Sequence, residues 1–218
     1  MNKVCIVPIF GDYDTLKEPT VISDGWKYIC ISDRHHKSKV WKTKILKADT
    51  TNKRKSGYVL TQLHRIIDFD IACVVGGQIQ INTDLNKYIE DVDFISLDHP
   101  SRNCIYKEAQ ACILYEKDDP KVIARQMYKY LESGYPVNNG MIQTGVTFRK
   151  DSNLIRTFMN HWWHEIQQGS HRDQLSFNYI LDKYKISTKE LSSNLLRNEF
   201  RLNNHNENSN SNSNMATS

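Results

Sequence analysis

The segment Ile71-Ala-Cys-Val-Val-Gly-Gly-Gln-Ile-Gln-Ile81 constrains the fold more than any other. Five apolar residues in a row, without polar alternation, suit a strand buried on both faces, as in a covered parallel sheet. Gly76 and Gly77 follow at once, and two residues without a Cβ let another group approach the backbone where the strand stops. Such a strand predicts an α/β domain whose ligand lies beyond the carboxyl ends of its strands.

Strand and helix signals alternate along most of the chain. Lys3 to Phe10 is an apolar run ending at Gly11-Asp12, and Lys27 to Ser32 and Trp41 to Leu46 read as two more strands. Asn52 is placed to cap a helix through about Ile67, with Leu60, Leu63, His64 and Ile67 on one face. After the Ile71 to Val75 strand come a short segment at Leu85 to Glu90, a strand at Phe94 to Leu97, and helices over Asn103 to Tyr115 and Pro120 to Ser133. The second opens with a proline suited to a first turn and closes at Gly134. Met141 to Phe148 returns as a strand, followed by helices at Asn153 to Gln168 and Arg172 to Tyr184. The expected architecture is a single mixed, mostly parallel sheet flanked by helices on both faces, a Rossmann-like α/β fold.

Size and charge narrow the function. A chain of 218 residues, 39% hydrophobic, forms one domain with one sizeable core. Twenty-nine basic residues against 25 acidic leave +4, which makes no case for a nucleic-acid partner. The cysteines Cys5, Cys30, Cys73, Cys104 and Cys112 have neither CxxC nor zinc-ligand spacing and read as reduced core residues of a cytoplasmic protein. No apolar run reaches the ~20 residues of a membrane helix, and the start carries no secretory pattern. From Asn203 to Ser218 the chain is Asn- and Ser-rich, so residues 1–202 are expected to be the domain and 203–218 a disordered tail or linker to further domains.

Four segments carry chemistry: Val7 to Asp14, with two acids and an aromatic; the strand end at Gly76; Tyr135 to Arg149, with an Asn-Gly pair before a strand; and Trp162 to Ile166 followed by His171 to Asn178. Together they resemble the nucleotide-diphospho-sugar transferases of the A-type glycosyltransferase fold. The resemblance lies in Ile9-Phe-Gly-Asp-Tyr-Asp14, Val74-Val-Gly-Gly77, His99-Pro100 with Tyr106-Lys-Glu-Ala109, and Arg172-Asp-Gln-Leu-Ser-Phe177, and it spans about Val4 to Tyr184. Within that group the chain is similar to a chlorella-virus glycosyltransferase domain, which implies capsid glycan synthesis in the host cytoplasm and later domains beyond the polar tail.

The resemblance implies transfer of a sugar from a UDP-sugar donor to a hydroxyl of a glycan or glycoprotein, with Mn²⁺ or Mg²⁺ at the diphosphate. Phe10, Gly11, Asp12 and Tyr13 would face uracil and ribose, with Tyr13 as the stacking surface. Arg54 or Lys55 would balance diphosphate charge, and Gly77, Gln78, Asn139 and Gly140 would line the donor. Asp173 and Gln174 would hydrogen-bond sugar hydroxyls, with Asp173 as a base or a stabiliser of positive charge at the anomeric carbon. Arg172 would hold a phosphate or orient that carboxylate. The departure is at the metal: Gly76 stands where the resemblance implies an aspartate ligand, Gln78 brings only a neutral oxygen, and His171 is a possible imidazole ligand. The competing expectation is a non-catalytic nucleotide- or glycan-binding module with a degenerate site.

Other residues have plainer readings. Trp162-Trp163 suits packing better than a sugar platform, and His35-His36 is a solvated loop. His99-Pro100 alone would be a strand terminator, Glu108 alone a surface charge, and Asp173 alone a helix-start acid.

Overall fold

The computed structural model describes residues 1–206. Its main sheet has seven strands: β1 (Lys3–Ile9), β2 (Trp26–Ser32), β3 (Lys42–Ile45), β4 (Ile71–Val75), β6 (Phe94–Asp98), β7 (Ile142–Lys150) and β8 (Thr188–Leu191), in the order β3-β2-β1-β4-β7-β6-β8. Strands β3, β2, β1 and β4 are parallel, as are β6 and β8, while β7 runs against both β4 and β6. This is the expected mixed, largely parallel α/β sheet, and β4 lies at its centre, buried along its whole length.

Side chains alternate between two cores, as the pleat requires. Val4, Ile6, Ala72 and Val74 face one side and Cys5, Val7, Cys73 and Val75 the other. The first side is covered by α1 (Asn52–Gln62), α2 (Ile105–Leu114), α3 (Pro120–Glu132), α4 (Asn153–Gln168) and α5 (Gln174–Leu181), and holds the fully buried Trp162. The second is covered by lighter structure: a two-stranded sheet of β5 (Ile79–Ile81) and β9 (Phe200–Leu202), a 3-10 turn at Leu85–Tyr88, and the short α6 (Leu195–Asn198). The long helices therefore crowd one face, because only α1 to α5 bring apolar stripes wide enough for it.

Local chemistry explains the helix starts. Thr51, rather than Asn52, caps α1 by accepting the Arg54 N–H; Asp119 caps α3 ahead of Pro120, and Ser152 caps α4. α1 stops at Gln62 and tightens into a 3-10 turn at Leu63–Arg65, short of the expected Ile67. α5 starts at Gln174 rather than Arg172, because Asp173 caps it and Arg172 stands outside it.

All five cysteines are free and buried, and among the described residues no helix is long and apolar enough to cross a membrane. The stretch expected as a disordered tail begins at Asn203, and Asn203, His205 and Asn206 are hydrogen-bonded to the body of the protein; 207–218 lie outside the described residues.

Candidate functional site

The carboxyl ends of β1, β2, β4 and β6 and the amino end of β7 open on one edge of the sheet. β1 leaves through buried Phe10 into Gly11, whose φ of +62° calls for glycine and where a Cβ would displace the Asn52 amide. The Gly11 N–H donates to Asp33 at 3.1 Å, its carbonyl accepts from Arg34 at 2.8 Å, and Arg34 also pairs with Asp12 at 2.7 Å. The β2 exit thus folds the β1 exit into a fixed loop.

That loop lays Asp14 against the end of β4. A Cβ on Gly77 would fall 2.6 Å from the Asp14 carboxylate and 2.9 Å from Ile9, so Gly77 is the gap into which Asp14 fits. The chain end closes over both. His205 Nδ1 lies 2.7 Å from Asp14, and its ring packs on Tyr13 with centroids 4.1 Å apart. Asn203 donates to the Gln78 carbonyl, and Asn206 donates to the carbonyls of Tyr13 and Asp12 while accepting from Thr15. Gly76 differs from Gly77: its N–H donates to the Gly145 carbonyl at 2.8 Å, and a Cβ there would meet only ordinary contacts at 3.7 Å.

The cations at the start of α1 take separate duties. Lys55 stays at the loop, 5.8 Å over the Phe10 ring and 3.3 Å from Asn52. Arg54 turns away and donates to the carbonyls of Ile166, Gln167 and Gly169, which closes the carboxyl end of α4. Arg54→Ala is therefore expected to cost about 1–3 kcal/mol of stability. UDP affinity should stay within about threefold; a tenfold loss in calorimetry with unchanged stability would return Arg54 to the ligand.

At the start of α5, Asp173 accepts the Gln174 N–H at 3.0 Å, and Gln174 Nε2 donates to the Ile142 carbonyl at 3.2 Å. Burial raises the Asp173 carboxyl, against the opposing pull of Arg172 and a hydrogen bond from Thr144. The Arg172 guanidinium is itself raised: burial pulls it down, and Asp173, Cys112 and Glu108 outweigh that. Its charge also reaches Tyr13. Behind it stands a buried polar group that joins the His99-Pro100 and Tyr106 to Ala109 segments. Glu108, 4% exposed, accepts from Arg102, lies 3.6 Å from His99 Nε2, and takes a contact from Cys112 at 3.5 Å. His99 Nδ1 accepts the N–H groups of Ser101 and Arg102, and burial lowers its pKa. The His-Pro segment is thus the partner of the Glu in α2.

Asn139 and Gly140 stand further out. Asn139 is exposed, its carbonyl 3.4 Å from the Tyr135 hydroxyl, and Gly140 turns at φ +83° beside Asn178. His171 lies just before α5, with Nδ1 2.7 Å from Asp118. The edge thus brings together Phe10 to Tyr13, Gly76 to Gln78, Lys55 and Arg172 to Gln174. Asp33, Asp118 and His205 were not singled out from sequence. Asp118 reads locally as part of a helix start, and His205 sits in a polar stretch with no local signal. Among the described residues no three His, Cys, Asp or Glu side chains form a metal-holding group; Asp14 and His205 make a pair.

A protein-family profile described as "TOD1/MUCI70, glycosyltransferase-like domain" matches residues 30–208. Comparison with curated proteins gives no match.

Proposed function

The chain belongs to the TOD1/MUCI70 glycosyltransferase-like domain family, and on that premise we propose that it transfers a sugar from a UDP-sugar to a hydroxyl of a glycan or glycoprotein. The observation that carries the reading is the convergence at one sheet edge of the Phe10 to Asp14 loop, the Gly76-Gly77 turn and the Arg172 to Gln174 helix start. Tyr13 offers an aromatic face to the base. Lys55 and Arg172 offer positive charge to a departing diphosphate, as fixed charges aimed where negative charge develops. Asp173 and Gln174 offer an acceptor and a donor to sugar hydroxyls.

The family resemblance implies Mn²⁺ or Mg²⁺, which ordinarily takes one or two protein carboxylates beside the phosphate oxygens. The residues present do not fit that pattern, since position 76 has no side chain and the carboxylate of Asp14 already faces His205. No step is therefore routed through a metal, and leaving-group stabilisation falls to Lys55 and Arg172. Transfer by this chain should be slow. The same glycine favours one second reading, a nucleotide- or glycan-binding module without turnover.

Calorimetric titration with UDP tests the donor assignment. Tyr13→Ala should weaken UDP about tenfold, since one base–aromatic stack contributes ~1–3 kcal/mol. Unchanged affinity removes the base from Tyr13, and failure of the parent chain to bind UDP removes the donor altogether. Release of sugar from UDP-hexoses separates the transferase from the binding module.

A further inference from the structure

We propose that the β3 end of the sheet is a docking surface for an anionic bilayer, a plane of acidic lipid headgroups met by a row of lysines. The inference is independent of the transferase reading.

Charge in this chain is segregated. Nine of its 29 basic residues and one of its 25 acidic residues fall between Arg34 and Lys55, so that stretch carries a formal +8 and the rest of the chain −4. The fold turns the basic side chains outward. From Arg34 to Lys47 every exposed residue is basic: Arg34 and His35, then Lys37, Lys39, Lys42, Lys44 and Lys47. The residues between them hold the segment on the sheet. The Trp41 indole is buried edge-on to Tyr28 with ring centroids 5.3 Å apart, and its Nε1–H donates to the Lys17 carbonyl at 2.9 Å. Thr43 Oγ1 accepts the His36 N–H at 3.2 Å, Ser38 Oγ accepts the Trp41 N–H at 2.7 Å, and the Ser32 carbonyl accepts the Leu46 N–H at 2.8 Å. β3 is the end strand, paired with β2 alone, and its alternation leaves Lys42 and Lys44 exposed on one face, about 7 Å apart along the strand.

The nearby acids are committed elsewhere. Asp12 pairs with Arg34, Asp33 accepts the Gly11 N–H, and Glu18 accepts the backbone N–H of Lys39. Among the described residues, none of the five exposed lysines from Lys37 to Lys47 takes part in an ion pair. Like charges left together on one short stretch repel one another, a cost that an anionic partner removes.

The kind of cation selects the partner. Lysine is a hydrated point charge on a flexible stem and reads charge without shape, whereas arginine forks and aromatic faces read ordered phosphates and bases. From Arg34 to Lys47 no Trp, Tyr or Phe is exposed, and the one arginine is engaged by Asp12 and the Gly11 carbonyl. A fluid, planar, negatively charged surface suits such a row, and each lysine near it contributes about fivefold to binding.

The test is co-sedimentation of the full chain with lipid vesicles. It should bind vesicles containing phosphatidylserine and leave those of phosphatidylcholine alone, and binding should vanish at ~1 M salt, where screening acts within about 3 Å. Lys42→Gln combined with Lys44→Gln should weaken binding about thirtyfold, the share of two lysines. Lys117→Gln combined with Lys121→Gln removes the same charge from exposed positions between α2 and the first turn of α3, and should bind as the parent does. No binding to phosphatidylserine vesicles, equal losses in the two double variants, or capture by heparin or duplex DNA without capture by vesicles would overturn the proposal. Each of those outcomes would leave UDP binding, measured on the same proteins, untouched.

Discussion

Gly76→Asp is expected to give this chain Mn²⁺-dependent UDP binding and to raise sugar transfer by about two orders of magnitude or more. A metal acting as Lewis acid contributes several kcal/mol to a departing oxyanion, and each 1.36 kcal/mol is tenfold in rate. The position accepts the side chain. Gly76 has no left-handed φ, a Cβ there meets Gly145 O and Ile79 Cγ1 at 3.7 Å, and its N–H bond to Gly145 is kept. Replacing glycine where the backbone permits it also removes freedom from the unfolded chain, a gain of about 0.4–1 kcal/mol. Gly77→Ala is the matched control, because its Cβ collides with Asp14; it should loosen the loop and create no metal dependence. The measurement is calorimetry with UDP, with and without Mn²⁺, on parent and variant. Equal metal dependence in both would place the ligands elsewhere, and none in the variant would sink the assignment of position 76.

Trp162→Ala is expected to cost about 3–5 kcal/mol, a large share of the ~5–15 kcal/mol that holds a domain of this kind together. The indole is fully buried among Phe94, Phe158 and Phe177, the last at 4.9 Å centroid to centroid and near perpendicular. Its Nε1–H donates to the Asp173 carbonyl at 3.0 Å, so the same side chain that fills the core also fixes the start of α5. Trp162→Phe should keep most of the packing and lose that bond, so transfer should fall further than stability does. Trp163 packs at the half-buried rim on Tyr58 and Gly57, and its replacement by alanine should cost less. Urea unfolding decides this: a Trp162→Ala penalty below about 1 kcal/mol, the size of one net hydrogen bond, would mean the aromatic cluster does not hold the fold.

What could be read from the sequence follows the strength of its local signals. β4 and α4 fall where apolar runs and periodicity put them, because both are buried on a regular lattice. β5, β8 and β9 carry three or four residues each, and Thr188-Lys-Glu-Leu191 has no apolar alternation, so only pairing partners make strands of them. At the site, the loop of Phe10 to Asp14 was legible as a loop, but not the seat of Asp14 against Gly77. Glu108 reads as an ordinary helix charge until His99 and Arg102 arrive from another loop. Arg54 carries the same charge as Lys55 one position later, yet its side chain serves α4, a partition no local pattern encodes.

The fastening of the first loop by the last described residues sets a schedule for the site. His205 meets Asp14 across 191 positions of chain. At ~5–20 residues per second, synthesis separates the two by about ten to forty seconds. Through that interval β1 can find β2 and β4, all made early, while the loop that follows β1 waits for its clasp. The nascent protein has the β1, β2 and β4 part of its sheet well before it has a site, and a ribosome paused late in the message would hold much of the core with an unlatched entrance.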